Sequence, residues 1–353
     1  GAPSKIFSNP VEHLPSRPLS PAGGPPSRHL TPPSNRLHSP SLTVAPIHFQ
    51  PLYMPRVWGG RNLATVLQRQ LPGPGPWGES WEVCDRLSEQ SIVSSGEWAG
   101  RSLHDLWGRN REKIFGDNLK GDRFPLLIKI LDAEADLSIQ VHPPEQVASL
   151  LGGSPKTEMW YIARALPGSK LFVGLREGVT RAQFENAIRG GTVENMIHAV
   201  EPQAGQSIFI PSGRLHAIGS GLLIYEIQQN SDTTYRVFDW NRTGLDGKAR
   251  DLHLRESLAS IDFTDYEPGM DQPKGQNLAT CSHFKVDCLG LPAESRVCNP
   301  DPDRFSIITL TSGRVRDTNG ATYSPGDSLL LPRGASEVQI IEEATLLQTT
   351  LPR

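Results

Sequence analysis

The segment "LSIQVHPP" at 137–144 alternates apolar and polar positions, so Leu137, Ile139 and Val141 share one strand face and Ser138, Gln140 and His142 the other. Short strand-like stretches recur along the chain: "LLIKIL", "MWYIARA", "QSIFIP", "GLLIYEIQQ", "TTYRVFDW", "FSIITL", "DSLLLP" and "EVQIIE", separated by Gly, Pro, Asn and Asp. Helical spacing is confined to islands. Asn62 is expected to cap a short helix carrying Leu63, Val66 and Leu67. Ser102 is expected to cap a longer one that points Leu103, Leu106, Trp107, Ile114 and Phe115 inward until Gly116 stops it. Thr180 and Gln183 form a capping-box pattern ahead of Phe184 and Ile188, with Gly190-Gly191 ending the run. So many short strands with frequent turn signals predict a mainly β chain of sandwiches or barrels.

One pattern occurs twice. Gly205, Pro211, Gly213 and His216 have the spacing G-x5-P-x-G-x2-H, and Gly326, Pro332, Gly334 and Glu337 repeat it with Glu in place of the final His. Each copy reads as a turn glycine, a buried strand, a Pro-x-Gly turn and a residue pointed into a barrel mouth. This resembles the second conserved motif of the cupin superfamily, which implies two tandem cupin jelly-roll β-barrels with a few short helices. The expected divisions are a Pro/Ser-rich disordered tail over 1–45, a metal-binding cupin domain with helical insertions over 46–262, and a C-terminal cupin domain over 263–353. The second copy lacks the histidine, and that domain is read as metal-free.

Composition narrows the function. A net charge of -3 lacks the basic excess that non-specific nucleic-acid binding needs, so nucleic acid is not an expected partner. No apolar run approaches the roughly 18 residues of a membrane span, and no membrane role is expected. Cys84, Cys281, Cys288 and Cys298 show no CxxC spacing, which fits free thiols in a reducing compartment, and a cytoplasmic location is expected. The tail is read as a dispensable extension rather than a transit peptide, because its proline density opposes an amphipathic helix.

The candidate chemistry lies on strand faces. In "KTEMWYIA", period-two alternation sets Lys156, Glu158 and Trp160 on one face. Gln140, His142, Glu158 and His216 then come from three strand segments of one barrel, and they offer two imidazole nitrogens and two oxygens, a donor set that suits one Zn²⁺ per chain. The polar face of "LSIQVHPP" is accordingly read as the lining of a metal pocket rather than a solvent face. Trp77 and Trp81 are read as core. Asp232 and Asp239 are assigned to turns and strand ends, and His198 and His253 carry no assigned role.

"IQVHP", "KTEMWYI", "IPSGRLHAIGSG" and above all "YEIQQNSDTTYRVFDW" resemble the type I phosphomannose isomerases in their short bacterial form, and "VWGG" and "GESWEV" resemble the family's opening segments. The resemblance runs from about residue 47 onward and is densest over 137–242. It implies a zinc ion held by Gln140, His142, Glu158 and His216. It also implies that Ser138, Lys156, Glu226 and Arg236 are active-site residues, and that mannose 6-phosphate and fructose 6-phosphate are interconverted through a zinc-stabilised cis-enediolate. Glu226, Lys156 and His216 are rival bases, Arg236 holds the phosphate or the enediolate, and a hydride shift would need no carbon base. The substrate class is a small hexose 6-phosphate, and the chain is expected to act as a monomer or weak homodimer. The competing readings are an iron-dependent cupin oxygenase, against which Gln140 and the cations Lys156 and Arg236 count, and a non-catalytic sugar-binding cupin.

Overall fold

Strands β1 (Ile47–His48), β2 (Leu52–Gly60), β3 (Trp77–Val83), β4 (Leu126–Ala133), β5 (Ile139–Val141), β6 (Glu158–Ala165), β7 (Leu171–Leu175), β8 (Ile197–Val200), β9 (Ser207–Ile210), β10 (His216–Ile218), β11 (Leu222–Gln229) and β12 (Tyr235–Phe238) follow one another along the first part of the computed structural model. The structure describes residues 44–334 and 336–353, so nearly all of the expected tail over 1–45 lies outside the described residues. Three sheets with antiparallel ladders carry the strands: a six-stranded sheet in the order β2-β3-β4-β11-β6-β9, a five-stranded sheet in the order β12-β5-β10-β7-β8, and an eight-stranded sheet that joins β1 to strands from residues 277–350. The chain is thus mainly β with a few short helices, as the turn-punctuated pattern predicts. The repeated motif has the same local form in both copies. β9 leads through Pro211 and Gly213 to β10, which opens at His216, and Ser328–Leu331 leads through Pro332 and Gly334 to the strand Glu337–Thr350.

The period of two sorts the six-stranded sheet into two buried faces. Ile128 and Ile130 of β4, Met159 of β6, and Tyr225 and Ile227 of β11 share one core with Ile307, Leu330 and Leu347 of the eight-stranded sheet. From the opposite face, Leu131, Trp160, Ile162 and Ile224 pack against Leu171, Val173 and Ile218 of the five-stranded sheet. The helix Arg181–Gly190 closes the far side of the five-stranded sheet, where Phe184 and Ala187 join Ile139, Val141 and Leu175. Its capping box is present as expected, with Gly191 in the left-handed conformation at its end.

Two helix expectations need correction. Asn62 does not cap the first helix, because it lies inside the helix Asn62–Thr65. The carboxylate of Asp132 on β4 reaches across instead and accepts from the Asn62 backbone N–H at 2.5 Å and its side-chain amide at 2.7 Å. A partner seventy residues away does the work of a local cap. The helix after Ser102 is also not continuous: it breaks at Asn110 into Leu103–Arg109 and Arg111–Ile114, although Ser102 Oγ does accept from the Asp105 N–H. The break turns Phe115 into an aromatic cluster in which Phe124 lies 5.4 Å from both Trp107 and Phe305. All four rings are buried. Phe124→Ala is expected to cost about 3–5 kcal/mol, read as a lower denaturation midpoint at unchanged slope, and a loss below about 1 kcal/mol would refute this account of the cluster.

All four thiols are free. No described helix is long and apolar enough to cross a membrane.

Candidate active site

The five- and six-stranded sheets face each other, and polar residues interrupt the apolar packing between them at one end. On the five-stranded sheet, Gln140 of β5 pairs in register with His216 of β10 on one side and with Arg236 of β12 on the other. Glu158 opens β6 on the facing sheet, beside Gln228 of β11 and Ile210 of β9. His142 follows β5 and is tied to the turn before β10, because the Gly213 N–H donates to the His142 carbonyl at 2.8 Å. Gly213 has a φ of +92°, and an added Cβ would come within 3.3 Å of the Ser260 carbonyl, so this turn needs glycine to deliver His216 to its place.

His142, Glu158 and His216 are fully buried, and their ligand atoms all lie within 4.8 Å of one another. The imidazole orientation follows from hydrogen-bond chemistry. His142 Nδ1 lies 2.9 Å from the Thr233 carbonyl and His216 Nδ1 lies 2.9 Å from the Arg214 carbonyl. A carbonyl only accepts, so each Nδ1 carries the proton and each Nε2 turns a lone pair toward Glu158. The Nε2 atoms stand 3.5 and 3.6 Å from the Glu158 oxygens. Burial, reinforced by Lys156, lowers the pKa of His142, while burial and then His142 push that of His216 down to about 3, so both rings are neutral near pH 7. Burial alone would raise the Glu158 carboxyl, but it is held well below the usual carboxylate range, chiefly by the Lys156 ammonium. Among the described residues neither Glu158 oxygen has a hydrogen-bond partner, although Lys156 Nζ stands 2.7 Å from Oε2, off the line of a hydrogen bond. Two inward lone pairs beside a buried carboxylate whose one close charged partner is Lys156 fit a metal ion, and this group can hold one.

Above the group opens a cavity of about 580 Å³, lined among others by Ser138, Gln140, Lys156, Glu226 and Arg236. The structure therefore brings together all eight candidate residues. Arg236 Nε donates to Ser138 Oγ at 3.3 Å, and Ser138 Oγ donates to Gln140 Oε1 at 3.1 Å. The Gln140 amide turns Nε2 toward His216 Nε2 at 3.3 Å. Glu226 Oε2 accepts from Trp160 Nε1 at 2.9 Å. Burial and then Glu158 raise the Glu226 carboxyl, against Lys156 and Lys129. For Lys156, burial is outweighed by Glu158 and then Glu226, which drive its ammonium above the ordinary lysine value.

Sequence reasoning missed part of this lining. Crossing the six-stranded sheet in spatial order, β2 contributes Arg56, β3 Glu79, β4 Lys129 and β11 Glu226, and the row ends at Lys156 and at Glu158, the first residue of β6. Charge alternates along this row. Arg56 grips Glu79 with two hydrogen bonds, of 3.1 and 3.0 Å. Burial opposes the charge on Glu79, yet Lys129 and then Arg56 prevail and bring its carboxyl to about 2. A signal for Lys129 was present, since a lone lysine inside the apolar run "LLIKIL" is unusual for a buried strand. Trp81 is buried as expected, but it also donates to Glu79 Oε2 at 2.6 Å and lies under Lys129, 4.9 Å from its ammonium. Asp239 binds Arg242 and Arg250, which fastens the segment beside the cavity mouth. His253 Nδ1 accepts from the Arg236 backbone N–H at 3.3 Å.

Residues 47–169 match the family model described as phosphomannose isomerase type I, catalytic domain. The chain is 35% identical over 311 residues to mannose-6-phosphate isomerase ManA of Bacillus subtilis, covering 85% of this chain and 96% of the relative. It is 36% identical over 299 residues to the mannose-6-phosphate isomerase of Streptococcus mutans, covering 81% and 92% of the respective chains. Among solved structures, the mannose 6-phosphate isomerase from Bacillus subtilis superposes with a TM-score of 0.78 at 27% identity, over 87% of this chain and 100% of that one.

Proposed function

We propose, for a chain that belongs to the type I phosphomannose isomerase family in its ManA-like bacterial form, the interconversion of mannose 6-phosphate and fructose 6-phosphate at the cavity above His142, Glu158 and His216. The observation that carries this reading is that buried group, with two neutral imidazoles aimed at a carboxylate that lacks hydrogen-bond partners. Zinc is the proposed ion, because imidazole and carboxylate donors suit it, with Gln140 as a fourth ligand through Oε1 once its amide is turned over. When bound, zinc supplies a Lewis acid that neutralises negative charge developing on the sugar oxygens.

The chain's own residues do the rest. Moving a hydrogen between C1 and C2 needs a base, and Glu226 is assigned that part. Its carboxylate lines the cavity, Trp160 orients it, and burial strengthens it as a base. Lys156 stands between Glu158 and Glu226, 2.7 and 3.9 Å from their nearer oxygens, and its ammonium is placed to balance negative charge on the sugar or to donate a proton. Arg236 keeps its charge at any working pH and, with Ser138, is assigned to the phosphate. Leu131, Leu137 and Trp160 add apolar wall to a cavity otherwise lined mostly by polar and charged side chains.

The division into cupin domains at 262/263, the metal-free reading of the second, a monomeric or weakly dimeric state and a cytoplasmic location are parts of the same proposal. Free thiols support the last of these. No specific observation favours the iron oxygenase or the non-catalytic cupin. The deciding experiment assays conversion of mannose 6-phosphate to fructose 6-phosphate before chelation, after it, and with zinc restored. Activity is expected to vanish on chelation and return with zinc. Folded, zinc-loaded protein without activity would overturn the reading.

A further inference from the structure

We infer that Lys129 is a positioning residue for Glu226: its ammonium sets where the Glu226 carboxylate stands in the cavity. The inference rests on the proposed role of Glu226 as base.

Lys129 is only 4% exposed, in a strand whose remaining residues are nearly all apolar. In register it faces Glu226 on β11 to one side and Trp81 on β3 to the other. Its Nζ lies 3.6 Å from Glu226 Oε1 and 4.9 Å from the centre of the Trp81 ring. Among the described residues, Glu226 is the one carboxylate within 4.0 Å of this ammonium.

The neighbouring groups show what Lys129 is needed for. Glu79 already has three hydrogen bonds, two from Arg56 and one from Trp81. Lys156 is drawn toward the metal group, 2.7 Å from Glu158 Oε2 and 3.2 Å from His142 Nε2. Among the described residues Glu226 accepts a single hydrogen bond, from Trp160 to Oε2, and its other oxygen faces two ammonium groups, of which Lys129 is the nearer. Taking a lysine out of water is costly, and an apolar side chain at this position would serve sheet packing at least as well. A buried ammonium beside the under-bonded oxygen of a cavity-lining carboxylate instead restrains that oxygen at a fixed distance. With Trp160 holding Oε2 and Lys129 facing Oε1, the carboxylate is braced from two strands, β6 and β4.

The test is a double-mutant cycle on zinc-loaded protein, with zinc content and circular dichroism checked for every variant. Lys129→Met is expected to lower kcat by about 10- to 100-fold while KM for mannose 6-phosphate changes by less than about threefold. Lys129→Arg is expected to recover part of the loss. In a Glu226→Gln background, the Lys129→Met change is expected to cost less than about twofold, because the group it positions is already gone. A rise in KM at unchanged kcat would make Lys129 a substrate contact and overturn the inference. An equal loss in both backgrounds would show that Lys129 acts independently of Glu226, overturning the inference while leaving Glu226 as base. Full activity of Glu226→Gln alone would remove the base assignment and this inference with it. If Lys129→Met does not fold, Lys129→Gln enters the same cycle.

Discussion

His216→Ala is expected to abolish stoichiometric zinc binding and to lower kcat/KM by at least about a thousandfold. The size follows from what is lost: a metal ion contributes several kcal/mol of transition-state charge stabilisation, and about 4 kcal/mol corresponds to three orders of magnitude in rate. The fold should survive. His216 enters the sheet through its backbone pairing with Gln140 and Val173, and the side chain adds a hydrogen bond to the Arg214 carbonyl and a 3.3 Å contact with the Gln140 amide. Metal content by mass spectrometry, circular dichroism and steady-state kinetics check the three parts separately. Normal zinc content with normal turnover would remove His216 from the metal group and unseat the reading built on it. Loss of zinc with turnover retained would leave the residues in place and refute the metal's role in the reaction.

Glu226→Gln carries the second large effect. A positioned base is worth about 10² to 10⁴ in rate, so kcat is expected to fall by that range while KM moves little. Gln keeps the shape and retains an acceptor for Trp160 Nε1, which donates to the carboxylate at 2.9 Å. The comparison therefore isolates basicity from packing. Turnover within about threefold of the unmodified protein would pass the role to Lys156 or His216, or favour a hydride shift.

Much of the site is legible in the sequence because β-strands publish their faces. Ser138, Gln140 and His142 recur at every second position, as do Lys156, Glu158 and Trp160, and the Pro-x-Gly spacing singles out His216. Less of the supporting lining was visible. Lys129 sits in a run that reads as buried strand, and nothing local says that its neighbours across the sheet are Glu226 and Trp81. Glu79 and Arg56 lie 23 residues apart, and they meet because β2 and β3 pair closely. An added Cβ on Gly78 would stand 2.5 Å from Arg56 Cβ. The helix ends were misread for a similar reason. Local capping rules favour Asn62, whereas Asp132 from a distant strand supplies the acceptors.

The sequence by itself determined the mainly β class, the family and which side chains share a strand face, because periodicity, turn residues and motif spacing are local properties of the chain. Tertiary structure alone decided which strands became neighbours. That choice set a row of alternating charges from Arg56 to Glu158 across five strands and gave Glu226 its second brace. Electrostatic pairing below 4 Å depends on sheet order, and sheet order is won by the burial of apolar faces far apart in sequence.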